Sequence, residues 1–233
     1  MPESESRFVR LRARPGPTPA GRPREAQLRE VFTQSLDWGA TPEAFYQNLA
    51  REAPRGLYPR AILGEQAWWT VVGPLDGDPA EALLETDGRL EVGKASWSIE
   101  PFLYAEGRLL TWNELSFRPG WDDELGAPET AGRAADLALR VTAFAIPRSD
   151  SGTIRALGGE SGRGHVLARY LLRNDGPSGR DVKLYLALRP FQVNPPAQFL
   201  NTPGGTTPIR SVARQGRSVR VNGISGVLSL VEP

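Results

Sequence analysis

Few of the side chains that can take protons, attack or hold a cation fall into a usable pattern here. A single histidine, His165, stands among 233 residues, which removes most metal sites and makes any Ser–His–Asp arrangement depend on that one residue. No Gly-x-Ser-x-Gly elbow lies between a strand and a helix to accompany it, so His165 reads as a strand-edge residue. With no cysteine there is no disulfide, thiolate nucleophile or Cys-ligated zinc, and the redox compartment stays open. The run Gly158-Gly159-Glu160-Ser161-Gly162-Arg163-Gly164 lacks the Lys-Ser/Thr ending of a phosphate loop and reads as a hairpin connection. Asp122, Asp123 and Glu124 are adjacent and read as solvated. Glu65 and Glu100 sit among aromatics, in Glu65-Gln66-Ala67-Trp68-Trp69 and Trp97-Ser98-Ile99-Glu100-Pro101-Phe102. They, or Glu160, would serve glycoside hydrolysis only as a pair converging across a sugar ring, and outward-facing strand positions explain Glu65 and Glu100 equally well. No catalytic residue, metal ligand or cofactor is assigned.

The tryptophans are more suggestive. Trp68, Trp69, Trp97, Trp112 and Trp121 fall within one span of strands and loops, and an indole face stacks on a sugar ring as readily as it buries apolar area. Trp68 and Trp69 are adjacent, so on a strand they point to opposite faces, one toward a core and the other outward. Trp68, Trp69, Trp97 and Trp112 are the aromatic candidates for carbohydrate contact. Arg189, Gln192, Asn194 and Asn201 form a polar set in a Pro-rich loop after a strand, where binding residues concentrate. Satisfying backbone groups in a tight crossing is the competing account of these four.

The elements that must position these residues are mostly strands. Period-two alternation or β-rich runs mark Gln66–Gly73, Trp97–Ala105, Arg108–Trp112, Asp136–Ala145, His165–Arg173 and Asp181–Arg189. Leu137, Leu139, Val141 and Ala143 share one face of their strand, and Leu184, Leu186 and Leu188 one face of theirs. The turn residues Arg173-Asn174-Asp175-Gly176-Pro177-Ser178-Gly179 predict an antiparallel hairpin between the last two strands. One helix is expected, Thr41–Ala53, with Thr41 as cap, Pro42 at the first position and Pro54 as stop. Upstream, Arg7-Phe8-Val9-Arg10-Leu11-Arg12 alternates like a half-buried strand before the Pro/Gly-rich loop Pro15–Pro23. The expected fold is a mostly β, large antiparallel β-supersandwich with one short connector helix near the N-terminus.

Twenty-eight Lys and Arg oppose 27 Asp and Glu, leaving no field to hold a phosphate backbone or an anionic membrane. No window approaches the ~20 apolar residues of a membrane helix, and the N-terminus lacks the apolar segment of a signal peptide. The chain reads as soluble, with its compartment open.

The blocks Gly64-Glu65-Gln66-Ala67-Trp68-Trp69-Thr70-Val71-Val72-Gly73, Ser98-Ile99-Glu100-Pro101-Phe102-Leu103-Tyr104 and Leu188–Asn201 resemble large bacterial discoidin-domain and glycosidase-like proteins. In these, the corresponding region is similar to the galactose-mutarotase-like β-supersandwich that precedes an (α/α) toroid in glucoamylase-like hydrolases and sugar phosphorylases. The opening, Pro2 to Leu11, resembles the closing strands of a discoidin-type sandwich. The resemblance implies a discoidin-like remnant over 1–37, a helical connector over 38–60 and the supersandwich over 61–233. It places the catalytic carboxylates in a toroid that this chain lacks, so the chain alone is not expected to turn over substrate. One histidine cannot supply the catalytic set of true mutarotases.

The expected role is a non-catalytic carbohydrate-associated module that shapes the sugar cleft of a missing C-terminal catalytic domain. An autonomous carbohydrate-binding protein and a self-sufficient glycosidase or mutarotase are the alternatives. The expected partners are an oligo- or polysaccharide and that domain, without nucleic acid, membrane or cofactor. An apolar surface patch where the domain docks is a further expectation.

Overall fold

The computed structural model describes residues 41–74, 81–146, 165–193, 205–223 and 225–229. Segment 1–37, expected from the resemblance to be a discoidin-like remnant, and Glu160 with its glycine-rich run, Asn194 and Asn201 lie outside the described residues.

The helix α1, Pro42–Glu52, forms as its punctuation requires. Thr41 Oγ1 accepts from the Ala44 amide at 3.2 Å, proline occupies the first turn, and Ala53 ahead of Pro54 leaves the helical region. Its buried face, Ala50 with half-buried Tyr46, packs on Phe191 and on Ile62 of the short 3-10 turn Arg60–Leu63.

Thirteen strands follow among the described residues, arranged in three antiparallel sheets. The first sheet has the order β1 (Trp69–Val72), β2 (Ala82–Glu85), β3 (Leu90–Glu91), β4 (Ser98–Ala105), β10 (Val182–Arg189). Strand β5 (Arg108–Leu110) shares with β3 the side of β4 that β10 leaves open. The second sheet runs β6 (Ser116–Asp122), β7 (Ala127–Ala134), β8 (Leu137–Ile146), β9 (His165–Asn174), and the third, small sheet is β11 (Val212–Gln215), β12 (Ser218–Val221), β13 (Ser225–Leu228).

The first two sheets face each other, and their inward rows make one core. Val72, Leu84, Leu103 and Leu184 come from one side, and Leu137, Leu139, Val141 and Ala143 from the other. The alternation read in β8 therefore holds, while Leu186 and Leu188 of β10 are only half buried. The third sheet attaches through Val221, which packs on Trp97 and Ile99.

The expected hairpin does not form. β9 pairs along its whole length with β8, and β10 pairs with β4 from Val182↔Ala105 to Arg189↔Ser98. The intervening residues do turn, with the Asn174 side-chain Nδ2 donating to the Ser178 carbonyl at 2.8 Å, but they carry the chain from one sheet to the facing one. Both sheets needed the partner: ten residues of β8 claim β9, and the long strand β4 claims β10. Among the described residues no helix is long and apolar enough to cross a membrane.

Candidate functional site

Inward and outward rows place the candidate residues. On β1 the inward row is Val72 and Thr70, continued by Trp68, and on β2 it is Ala82 and Leu84, continued by Thr86. On the second sheet the inward row of β6 is Phe117, Pro119 and Trp121, opposite Gly132, Thr130 and Pro128 of β7. Phe117 lies over Gly132 so closely that a Cβ there would stand 2.6 Å from its ring, and the ring joins the core.

Beyond Phe117 the sheets part into a cleft of about 190 Å³ lined by Trp68, Trp69, Thr70, Leu84, Glu85, Thr86, Pro119, Glu129 and Thr130. Its waist is tied by hydrogen bonds. Thr130 Oγ1 donates across the sandwich to the Thr86 carbonyl, and the Thr86 amide and hydroxyl both donate to the Trp68 carbonyl at 2.9 and 3.1 Å. The indole of Trp68 is 69% exposed at one lip.

The two acidic residues of the cleft turn their carboxylates away from it. Glu129 accepts from Arg140 Nε at 2.9 Å and Thr142 Oγ1 at 3.0 Å on the outward face of its sheet. Glu85 accepts from buried Arg89 Nε at 2.8 Å on the outward face of the other. Back to back with the cleft, across β2, lies a buried charged layer that the sequence reading missed. Glu85, Asp87, Arg89, Glu91 and Glu100 are all buried there, closed over by Arg60 of the 3-10 turn, Arg189 and the Gln192–Val193 backbone. Arg89 also donates to the Gln192 carbonyl at 2.8 Å, and the Glu91 carboxylate accepts from the Val193 amide at 2.6 Å and the Ser96 amide at 3.0 Å. Arg189 Nε stands 3.2 Å from Glu100 Oε2, out of line for a hydrogen bond, while its Nη2 donates to the Leu57 carbonyl.

Burial pushes the Glu100 carboxyl up to about 7 against the pull of Arg189 and Arg89, with Glu85 and Asp87 adding to the rise. Burial and then the nearby Glu85 raise Asp87 to about 6, opposed by its 2.6 Å hydrogen bond from Arg60. Desolvation works against charge on Arg89, but the attraction and hydrogen bond of Glu85, with Glu100 and Glu91, hold its pKa above the ordinary arginine value.

No known family, curated protein or solved structure matches the chain. The geometry of its own residues carries the functional reading.

Of the tryptophans singled out in the sequence, the cleft gathers two, Trp68 and half-buried Trp69, on opposite faces of the strand line as their adjacency required. Trp97 is 3% exposed and packs on Val221. Trp112 is 5% exposed, donates its Nε1 hydrogen to the Tyr58 carbonyl at 2.8 Å and lies under the guanidinium groups of Arg55 and Arg60. These two are packing residues with no face for a sugar. Arg189 and Gln192 are placed in the charged layer, where Gln192 donates to Thr207 Oγ1 at 2.8 Å. They border no part of the cleft.

Three carboxylate readings also change. Glu100 is buried instead of outward-facing to solvent, because Arg189, itself over the rings of Tyr58, Phe102 and Phe191, lies against it. Glu65 is gripped by Arg55 through both oxygens, at 2.5 and 2.9 Å. Asp122, unlike exposed Asp123 and Glu124, is buried. It accepts the amides of Leu125 and Glu124 and pairs with Arg169, and the Leu125 amide leads in holding its pKa below the usual carboxylate range.

The residues missed were Thr86, Thr130, Pro119 and the Glu85-Thr86-Asp87-Gly88-Arg89 stretch. A signal for the last was present, since Asp-Gly between Leu83-Leu84 and Leu90 is hairpin chemistry. Gly88 does adopt the left-handed conformation, at φ 86°.

Proposed function

We propose that this chain is a non-catalytic carbohydrate-binding β-sandwich module. The observation that carries the reading is the exposed indole of Trp68 at the lip of a small cleft whose other inward side chains are uncharged. A flat apolar ring beside hydroxyls and carbonyls suits the two-sided character of a sugar, apolar across its C–H face and polar at its rim. The resemblance to the galactose-mutarotase-like supersandwich of glucoamylase- and phosphorylase-type proteins supports the reading from the sequence side.

The non-catalytic part rests on how the carboxylates are held. Glycoside hydrolysis needs two carboxyl groups facing one bond from either side. Glu65 and Glu129 are each engaged through both oxygens, and Glu100 lies in the charged layer beneath Phe191, away from the residues that line the cleft.

A second reading, a rim module seated on a catalytic domain, is favoured by Tyr104, Tyr185 and Leu109. They form an exposed apolar group on the outward face of the first sheet, with Lys183 over the Tyr104 ring.

Calorimetric titration of the chain with α- and β-linked gluco-oligosaccharides, run beside a reducing-sugar assay, tests the proposal. Saturable binding without sugar release is expected, and Trp68→Ala should weaken it roughly tenfold, the upper range for one aromatic contact. Sugar release that vanishes in Glu100→Gln or Glu65→Gln would make the chain an enzyme.

A further inference from the structure

The two strand rows that flank the cleft are built to one pattern. On β1 the inward row runs from core to solvent as Val72, Thr70, Trp68; on β6 it runs as Phe117, Pro119, Trp121. In each, the first residue lies in or against the core, the second lines the cleft, and the third is a tryptophan open to solvent, 69% exposed for Trp68 and 58% for Trp121. Alternation puts Trp121 on the same face as Pro119, one two-residue step of about 6–7 Å further along the strand. Its cross-strand neighbour on that face is Pro128, which continues the apolar surface. The two rows belong to facing sheets, whose usual separation is about 10 Å.

Charge narrows the ligand. The inward side chains of the cleft and its extension are indole, hydroxyl and aliphatic groups. The two carboxylates at its walls point outward and are bonded to Arg89 and Arg140. No lining side chain supplies a cation for a uronate or phosphate, or a free carboxylate for an amino sugar.

We propose that Trp68 and Trp121 are separate stacking platforms on one binding track, which takes an uncharged, linear oligosaccharide with different sugar rings on the two indoles. The inference rests on the carbohydrate reading and extends it to ligand length and charge. Trp121 was outside the sequence-based set of contact residues, because a lone tryptophan in Arg118-Pro119-Gly120-Trp121 shows no partner until the two sheets are superposed.

Calorimetry with glucose and with linear gluco-oligosaccharides of two to six units, on the full chain and on Trp68→Ala and Trp121→Ala, decides it. Affinity should climb with chain length in the native chain. Trp121→Ala should leave glucose binding within about twofold, yet cost the longest oligosaccharides roughly three- to tenfold, the range of one aromatic contact. Trp68→Ala should weaken every length.

Equal loss on glucose and hexasaccharide in Trp121→Ala would mean a single ring pinched by both indoles, and no loss at any length would remove Trp121 from the site. Either result overturns the inference while Trp68 dependence keeps the carbohydrate reading. An acidic oligogalacturonide binding as tightly as the neutral series would overturn the charge assignment. Absence of binding to every sugar would overturn inference and reading together. Both tryptophans are exposed, and unchanged thermal unfolding of each variant confirms that the losses are local.

Discussion

Tyr170, near the middle of β9, turns its side chain inward toward Val141, its cross-strand neighbour, and packs against the core. Its hydroxyl is buried with no hydrogen-bond partner among the described residues, and burial raises its pKa above the ordinary tyrosine value. A buried hydroxyl without a partner forfeits its hydration, at a cost of about 1–3 kcal/mol. Tyr170→Phe removes the oxygen and keeps the ring, so urea unfolding should find the variant more stable by about 1 kcal/mol; a less stable variant would show that the hydroxyl is satisfied. The same distinction between ring and surroundings explains the tryptophans. Residue type marked all of them as large and flat, but whether an indole meets solvent or a guanidinium depends on what the fold lays over it. Trp112 lies under Arg55 and Arg60, residues more than fifty positions away, and no local pattern around Trp112 announces them.

At the scale of elements, the charged layer on the outward face of the first sheet is the clearest departure from what the sequence suggests. Glu85, Asp87, Arg89 and Glu91 recur every second residue, and such a row ordinarily marks the wet face of a strand. Here that face is closed by Arg60 of the 3-10 turn, Arg189 and the Gln192–Val193 backbone. That cover is contributed by segments about twenty-five residues before and a hundred after the hairpin, so periodicity carried no warning. The strands themselves were legible wherever alternation was strong, as in β4, β8, β9 and β10. The short strands β2 and β3 and the proline- and glycine-bearing β6 and β7 were not, since their composition reads as turn.

The layer has a thermodynamic signature. Glu100, raised to about 7, and Asp87, raised to about 6, hold protons in the folded chain that the unfolded chain has already released. Their contribution to stability is complete below the ordinary carboxylate pKa and is lost as pH rises through about 6 and 7. Urea midpoints should therefore fall between pH 5 and pH 8. Glu100→Gln, which mimics the protonated side chain, should flatten most of that fall and be the more stable protein at pH 8, by at most about 3 kcal/mol. An unchanged slope in the variant would mean that Glu100 is ionised throughout.

Across the whole molecule, one core spans the two large sheets, while the third sheet is held by a narrower contact. Val221, fully buried against Trp97 and Ile99, is its anchor, and the strand residues Val212 to Gln215 beyond it are exposed. Val221→Ala should cost about 2 kcal/mol in packing. Native-state hydrogen exchange should register that cost in β11 to β13, with β6 to β9 left protected. Uniform acceleration throughout the chain would mean that the third sheet and the sandwich open as one unit.

The pairing of β4 with β10 reaches across about eighty residues, and every strand of the second sheet is made in between. During synthesis the chain therefore abandons its first sheet half-built and completes it only after the second sheet has emerged. Until Val182–Arg189 emerges, β4 has an open edge and Glu100 has no Arg189 beside it. Long-range closure of this kind is slow relative to local hairpins, so the four-stranded meander β6 to β9 is the piece that can mature first and template the rest. A nascent chain arrested just short of Val182 should already protect that meander while the charged residues of the first sheet stay open, since Arg189, Gln192 and Val193, which close over them, have yet to emerge.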